Sequence, residues 1–382
     1  MVLVARDESA TPFGQRSIPP GSVSPHSHSA GIPPLRTSLD RHLTLLSAKP
    51  NVHRRLFAIT AQHATHDVEV LRSIGGLPAH IVGQFREPSV FQRSEDGQYF
   101  VFDRRAQRVS RIDRNREIAT TIVDIGPEQG RIIGASSFDL GSRQRFVVAD
   151  APNGRERVQI FDVDGHRVGG FTLPGRAAPR ITLDNVVLNG IGSLQFTGQT
   201  ILMNQPELGG LITKFNLGGQ PFHTFGVFRQ TGHEGNRDVH LALNTGLPLV
   251  APGDRFYFVF QAGVPMFRKY NAAGALLFER HVEGPELDPI INNLPTNWPR
   301  HLDSDGRMIP LIPPTVRTAT VDPDGNLWIA LSVPYLYVYN PNGEKIRTVR
   351  LQAAGTVQPN SLFFADRARM LVTPGCYEFR VW

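Results

Sequence analysis

The chain predicts an all-β fold assembled from six repeated units of four short antiparallel strands, running from about Leu77 to the C-terminus. Three observations predict it. Apolar runs of strand length, rich in β-branched and aromatic residues, recur throughout, each bounded by a turn signal. Turn residues recur in register. A Gly joins the first and second runs (Gly97, Gly141, Gly198, Gly253, Gly325), and an Asx closes the third (Asp113, Asp162, Asn216, Asn271, Asn340). Another Gly follows that Asx at Gly165, Gly219, Gly274 and Gly343. These residues supply turn conformations that others resist, so their recurrence in register marks a repeat. Finally, one such small sheet leaves two edges and two apolar faces open, and it needs copies of itself to stack against.

The clearest unit is FDLGSRQRFVVADAPNGRERVQIFDVDGHRVGGFTLPG, with runs Ser137–Leu140, Phe146–Ala149, Val158–Phe161 and Val168–Leu173. Asp164-Gly165 suits a tight two-residue hairpin. The unit before it reads SVFQRSEDG, QYFVFD, RVSRID and EIATTIVDIG. Next come IGSLQFTG, TILMNQ, LITKFN and PFHTFG, then LPLVAPGD, RFYFVFQ, MFRKYN and LLFERHVEG. The fifth unit reads RTATVDPDG, NLWIALS, LYVYN and KIRTVRL. The sixth reads NSLFFAD, RMLVTP and CYEFRVW, and lacks a fourth run. His80–Arg86 (HIVGQFR) has the length and pattern to supply it, so that an N-terminal strand closes the last unit on the first. The longest spacers, 226–246 and 284–315, are of a size that is usually functional or disordered.

Residues 1–76 read as a separate, poorly ordered extension and 77–382 as the repeat domain. Pro, Ser, His and Gly dominate 11–35, too polar and too broken to build a core, and His26 and His28 read as part of that solvated tail. Short helices are expected over Arg41–Ala48 and Arg54–His66. The charge surplus is +6, spread along the chain with no basic block, which argues against a nucleic-acid partner. All but four of the 40 basic residues are arginine, which suits contacts to anions. Cys376 stands alone, so no internal disulfide forms. No apolar run approaches the ~18 residues of a membrane span. The first residues lack the apolar stretch of a secretory signal, so the chain is expected to be cytoplasmic by default, with export open if the true start lies elsewhere; a monomer is expected.

RFVVADAPNGRERVQIFDVDG resembles an NHL repeat: a strand, an Asp, an Asn-Gly-Arg turn, a strand ending in Phe-Asp, then an x-Asp-Gly hairpin. VDPDGNLWIALS and LYVYNPNG in the fifth unit look like a second copy. The resemblance spans 78–382, strongly in these two units. It implies a six-bladed β-propeller of the TolB-like/gluconolactonase-type superfamily. No WD dipeptide stands at the strand ends, unlike the WD40 branch. Such propellers serve as binding platforms, lactonases, lyases and signalling ectodomains, so the fold names no single function.

In such a propeller, the loops before each first strand and those between second and third strands open on one face around a channel. The first set gives Glu87, Asn189, Asn244, Arg317 and Asn360; the second gives Asn153, Arg155, Gln205, Glu207, Gln261 and Tyr335. The candidate ligand-binding residues are Glu87, Asn153, Asn189, Gln205, Asn244, Gln261, Arg317, Tyr335 and Asn360. Carboxylate and amide oxygens around one channel form the ligand set of a hard cation such as Ca²⁺. The gluconolactonase/regucalcin-type propellers, which the chain resembles at fold level, use such a central acid-and-Asn site, and Asn189-Gly190 is similar to their Asn-Gly. The chain departs from them at Arg317, where they carry a second acid. A fixed positive charge repels a cation, whereas guanidinium and amide N–H donors suit an anion. A Glu87–Arg317 pair across the channel would leave the mouth neutral.

No catalytic residue and no metal ligand is assigned. His233, Glu234, Asp238 and His240 do not form HExxH and lack a further zinc ligand, so they read as a polar loop or the start of a short helix. Cys376 reads as structural. The expected function is a non-catalytic binding or interaction propeller whose channel mouth takes a small anionic or polar molecule, or a peptide, without a cofactor. The alternative is a metal-dependent lactonase-like hydrolase or lyase, with Ca²⁺ as cofactor.

Overall fold

In the computed structural model, which describes residues 67–174, 179–183, 186–189, 193–302, 306 and 308–381, four-stranded antiparallel sheets follow one another along the chain. The first holds Pro88–Arg93, Tyr99–Asp103, Arg108–Ile112 and Ala119–Val123. The second holds Ser137–Gly141, Arg145–Asp150, Arg157–Asp162 and Arg167–Thr172. The third holds Leu194–Phe196, Ile201–Met203, Ile212–Phe215 and Pro221–Phe225. The fourth holds Gly246–Ala251, Arg255–Phe260, Met266–Tyr270 and Leu276–His281. Val316–Val321, Leu327–Leu331, Leu336–Tyr339 and Lys345–Gln352 meander in the same way, and Ser361–Phe364, Arg369–Thr373 and Tyr377–Arg380 come last.

The first strands neighbour one another in chain order, and Ser361–Phe364 returns to lie beside Pro88–Arg93. This is a β-propeller. Its apolar core is divided among the faces between consecutive sheets. Phe100, Phe102 and Val109 pack on Phe138, Phe146 and Phe161, and Val147 and Ile160 pack on Phe196 and Phe215. At the far end Leu371 and Cys376 pack on Phe91, Tyr99 and Ile112 of the first sheet. Each buried Phe contributes about 1.5–3 kcal/mol, so an isolated sheet would forfeit both faces of its stability.

The Asx register has a direct cause. Side-chain oxygens of Asp113, Asp162, Asn216 and Asn340 accept backbone N–H groups two and four residues on, and Asn271 accepts the one four residues on, from Ala275 (2.9 Å). Asp162 takes them from Asp164 (3.0 Å) and His166 (2.8 Å), Asn216 from Gly218 (3.0 Å) and Gln220 (2.9 Å), and Asn340 from Asn342 (3.0 Å) and Glu344 (3.0 Å). Asp113 does the same with Asn115 and Glu117. The residue three after the Asx holds a positive φ in every case: Gly165, Gly219, Gly274, Gly343, and in the first sheet Arg116 at +63°. The Gly between first and second strands holds a positive φ at Gly97, Gly198, Gly253 and Gly325, but not at Gly141, where Arg143 and Gln144 make the turn instead.

Closure differs from the sequence expectation in which strand performs it. His80–Arg86 is not a strand. Ala79–Val82 is a helical turn that buries Ile81, with Val82 and Phe85 packed on the same cluster, so its apolar residues follow a helical spacing. The closing strand is Val68–Gly76, which lies inside the stretch assigned to the extension. Val68–Arg72 pairs in parallel with Thr348–Gln352, and Ser73–Gly76 then pairs antiparallel with Tyr377–Phe379. One strand thus completes the last sheet and joins it to the one before. Arg116 fastens this seam by donating to the Gly76 carbonyl (3.0 Å), the Tyr99 hydroxyl (2.6 Å) and Glu378 (2.7 Å). The expectations for 41–48, for 54–66 and for His26 and His28 fall outside the described residues.

Gly75 and Gly76 both hold positive φ, at +141° and +152°, but only a Cβ on Gly76 would collide with the Cys376 carbonyl and the Tyr377 backbone. Gly75→Ala should cost about 1 kcal/mol in backbone strain and Gly76→Ala roughly 3 kcal/mol or more. Urea unfolding of both variants checks this, and equal costs would contradict the seam as described. Arg116→Ala should cost about 2 kcal/mol through the lost charge-assisted bonds.

Candidate functional site

The first strands surround a cavity of about 420 Å³. Its wall takes Ser89, Val90 and Gln92 from the first sheet and Ser137, Phe138 and Asp139 from the second. Gln195, Leu249, Arg317 and Asn360 continue it around the ring. The wall therefore mixes apolar side chains with a few converging polar groups, the composition usual for a small-molecule site.

Of the residues read from the sequence, Gln261, Arg317 and Asn360 line this cavity. Arg317 donates to the Asn360 side-chain oxygen (2.5 Å) and to the Pro359 carbonyl (3.4 Å), both neutral acceptors. The Gln261 amide donates to the Arg317 carbonyl (3.4 Å), which places the two side by side. Glu87 does not reach across to Arg317. Its carboxylate pairs with Arg104, and Asp103 holds the loop by accepting the Arg86 and Glu87 N–H groups (2.7 and 3.0 Å).

The other positions lie elsewhere. Asn244 is fully buried as the residue that ends the helix Arg237–Leu243. It accepts from Arg229 N–H (2.9 Å) and donates to the His240 carbonyl (3.0 Å). Asn244 does stand just before the first strand Gly246–Ala251, as read from the sequence, but it also ends the helix Arg237–Leu243, and its side chain bonds there instead of lining the cavity. Asn189 belongs to a separate hairpin, Pro179–Leu183 with Val186–Asn189, that precedes the third sheet. Asn153 sits at positive φ in the turn Pro152–Gly154, Gln205 is buried before the turn Pro206–Leu208, and Tyr335 packs against the core between the fourth and fifth sheets. None of these three lines the cavity.

In the 231–245 spacer, Glu234 accepts the Thr231 and Gly232 N–H groups (2.7 and 3.2 Å), and His240 bonds Thr231 (2.8 Å). Among the described residues, the acids and histidines close enough to share an ion are Asp162, Asp164 and His166, on a turn outside the cavity where Asp162 already caps the backbone. Burial pushes the Cys376 thiol up to about 12, which keeps it protonated and unreactive at neutral pH.

Sequence reasoning missed a belt of polar side chains on the first strands themselves. Gln92 accepts the Leu140 N–H (2.7 Å) and donates to Asp139 (2.9 Å). Asp139 accepts the Phe196 N–H (2.7 Å), and Gln195 accepts the Val250 N–H. Each reaches from one sheet to the backbone of the next. The available signal was polar residues at mid-strand in SVFQR, FDLG and LQF.

A second shared position is the residue at the end of the second strand. Asp103, Asp150, Asn204 and Thr373 all stand there, buried. Asn204 accepts the Gly246 N–H (3.1 Å), and Thr373 donates to the Ser89 carbonyl (3.0 Å). Gln261 is the fourth sheet's version of this tie.

Asp139 is half-buried in the channel wall, and desolvation raises its pKa from 3.8 to about 6 against the lowering effect of the Phe196, Gln92 and Leu140 bonds. The folded state then holds a proton that the unfolded chain has released. Stability from this group is full below pH 3.8 and is lost as pH rises through 6. Lowering the pH from 7 to 5 should therefore stabilise the protein by about 1 kcal/mol through Asp139. In Asp139→Asn this part of the pH dependence should vanish in urea titrations, whatever the variant's absolute stability; an unchanged pH dependence would contradict it.

No protein-family model matches the chain, and no curated protein matches it. Among solved structures it is similar to virginiamycin B lyase from Staphylococcus aureus, at 11% identity, covering 77% of this chain and 93% of that one with a TM-score of 0.46. A streptogramin B lyase structure matches at 11% identity over 77% of this chain and 92% of that one, also at 0.46. BamB from Moraxella catarrhalis matches at 12% over 76% and 84%, at 0.42. Likeness at this level says nothing about the chemistry of the cavity described above, so function has to be argued from the site.

Proposed function

We propose that this protein is a six-bladed, NHL-like propeller that binds a small anionic or polar molecule, or a peptide end, at its channel and does not turn it over. The six-blade count is supported by the ring of first strands and by the core packed between consecutive sheets. The observation that carries the function is Arg317. It lines the cavity, and its described partners are neutral oxygens, so its charge is left for a ligand. In a concave, partly apolar site a guanidinium binds a carboxylate or phosphate more strongly than it does in open water.

The lactonase-like alternative is supported less well. It needs Glu87 and Asn244 as free oxygen ligands around one channel, but the first is paired with Arg104 and the second caps a helix. The proposal includes no cofactor and a monomeric chain.

Isothermal calorimetry with a panel of small carboxylates and phosphates tests this. Arg317→Ala should weaken the binding of those that bind by about 1.5–3 kcal/mol. Unchanged affinity in the variant would overturn the reading. So would hydrolysis of a lactone that depends on added Ca²⁺ and is lost in Glu87→Gln.

A further inference from the structure

The cavity wall carries four charged side chains, and two of them are already matched. Arg104 is paired with Glu87. Asp322 accepts from the Asp324 and Asn326 N–H groups, the Asn326 amide and the Trp328 indole within its own turn (2.8–3.0 Å). The remaining two are Asp139 and Arg317. Both line the same cavity. Among the described residues Asp139 is bonded to neutral donors, the Gln92 amide and the Phe196 and Leu140 N–H groups, and Arg317 to neutral acceptors. They belong to strands that are not neighbours in the ring. Ser137–Gly141 lies between the first strands of the first and third sheets, and Val316–Val321 lies between Gly246–Ala251 and Ser361–Phe364. A carboxylate accepts about four hydrogen bonds, so the bonds described for Asp139 leave capacity open.

An acid and a guanidinium on separate walls of one small cavity, each bonded to neutral groups, are matched by a molecule that carries both charges. We propose that the channel ligand is a small dipolar molecule of the ω-amino-acid class, its carboxylate on Arg317 and its ammonium on Asp139. This rests on the anion-binding reading of Arg317 and adds the second anchor. A cavity of about 420 Å³ suits a molecule of that size. The two anchors also give the site a direction, because a ligand entered the wrong way round would set like charges together.

The test uses the full chain and a matched series of straight-chain acids, from acetate to hexanoate, against the ω-amino acids from glycine to 6-aminohexanoate, by calorimetry at pH 7.5. At one chain length the amino acid should bind at least tenfold more tightly than its unsubstituted partner. Arg317→Met should weaken both, while Asp139→Asn should remove only the advantage of the amino acid. The same advantage should shrink in the unmodified protein between pH 7.5 and pH 5, as Asp139 takes up its proton, which keeps the test open if Asp139→Asn folds poorly. The other groups on the wall, Arg104 with Glu87, Arg317 and Asp322, are the charges against which that change must be read. If the unsubstituted acids bind as well as the amino acids, with affinity lost in Arg317→Met, the dipolar ligand is wrong and the anion site stands. If no acid of either series binds, or if Arg317→Met leaves binding unchanged, both are wrong.

Discussion

The structure depends on how the last sheet loses its free edge. A ring of small sheets is stable only if every apolar face meets another, and the chain must spend backbone from its N-terminal side to finish the sheet that its C-terminal end begins. The strand Val68–Gly76 does this with two different pairings in succession, parallel to Thr348–Gln352 and then antiparallel to Tyr377–Phe379. The change of partner requires the register shift between Ser73 and Gly75. It also requires a residue without a side chain at Gly76, where the Cys376 carbonyl approaches. Arg116 accepts an unfavourable backbone conformation in return for two bonds across the seam, to Gly76 and Glu378, and one to Tyr99 of its own sheet. The Glu69–Arg347 pair (2.7 Å on both forks) adds orientation rather than much energy, since Glu69 is well exposed.

Closure fixes the cavity because the first strands are what it brings together. On one side of the ring, Gln92, Asp139 and Gln195 spend their polar atoms on the backbone of the following sheet. On the other side Gln261, Arg317 and Asn360 bond mainly to one another and to local carbonyls. A ring built from one repeat thus acquires two unlike walls. The structural wall holds its acid in place through the bonds that join the sheets, while the opposite wall presents a cation. The asymmetry follows from which side chain each repeat carries at equivalent positions, with no change in the strand plan.

The repeat was legible because its turns use residues with special backbone chemistry. Asp162, Asn216, Asn271 and Asn340 cap hairpins in a way that few side chains can, and Gly165, Gly219, Gly274 and Gly343 hold the positive φ that follows. The closing strand was not legible. HIVGQFR and VEVLRSIGG both offer mixed apolar and polar residues of the right length, and only tertiary contacts decide that Ile81 and Phe85 pack as a helical turn. The site was legible in part for the same reason. Arg317 and Asn360 follow from strand position alone, whereas Asn244, placed before its first strand as expected, is buried because the helix Arg237–Leu243 ends on it. Asp139 was invisible because its role comes from neighbours 47 and 57 residues away in the chain.

The two uncommitted charges bear on function because of what they cost when the cavity is empty of partners. A carboxylate and a guanidinium drawn from water lose hydration, and hydrogen bonds from neutral amides return only part of it. The upward shift of Asp139 is that loss expressed as proton affinity. Were stability the sole demand, an amide at 139 and an apolar residue at 317 would serve the walls better, since Gln92 and Gln195 show that neutral side chains tie the sheets together adequately. Direct pairing of the two charges would also remove the cost, yet they stand on strands that do not adjoin. What removes it without rebuilding the ring is a counter-charge brought in from solution at each end. On the dipolar-ligand proposal, both anchors would hold the ligand more firmly than they hold water, and the ring that keeps them apart would set the length of molecule that fits.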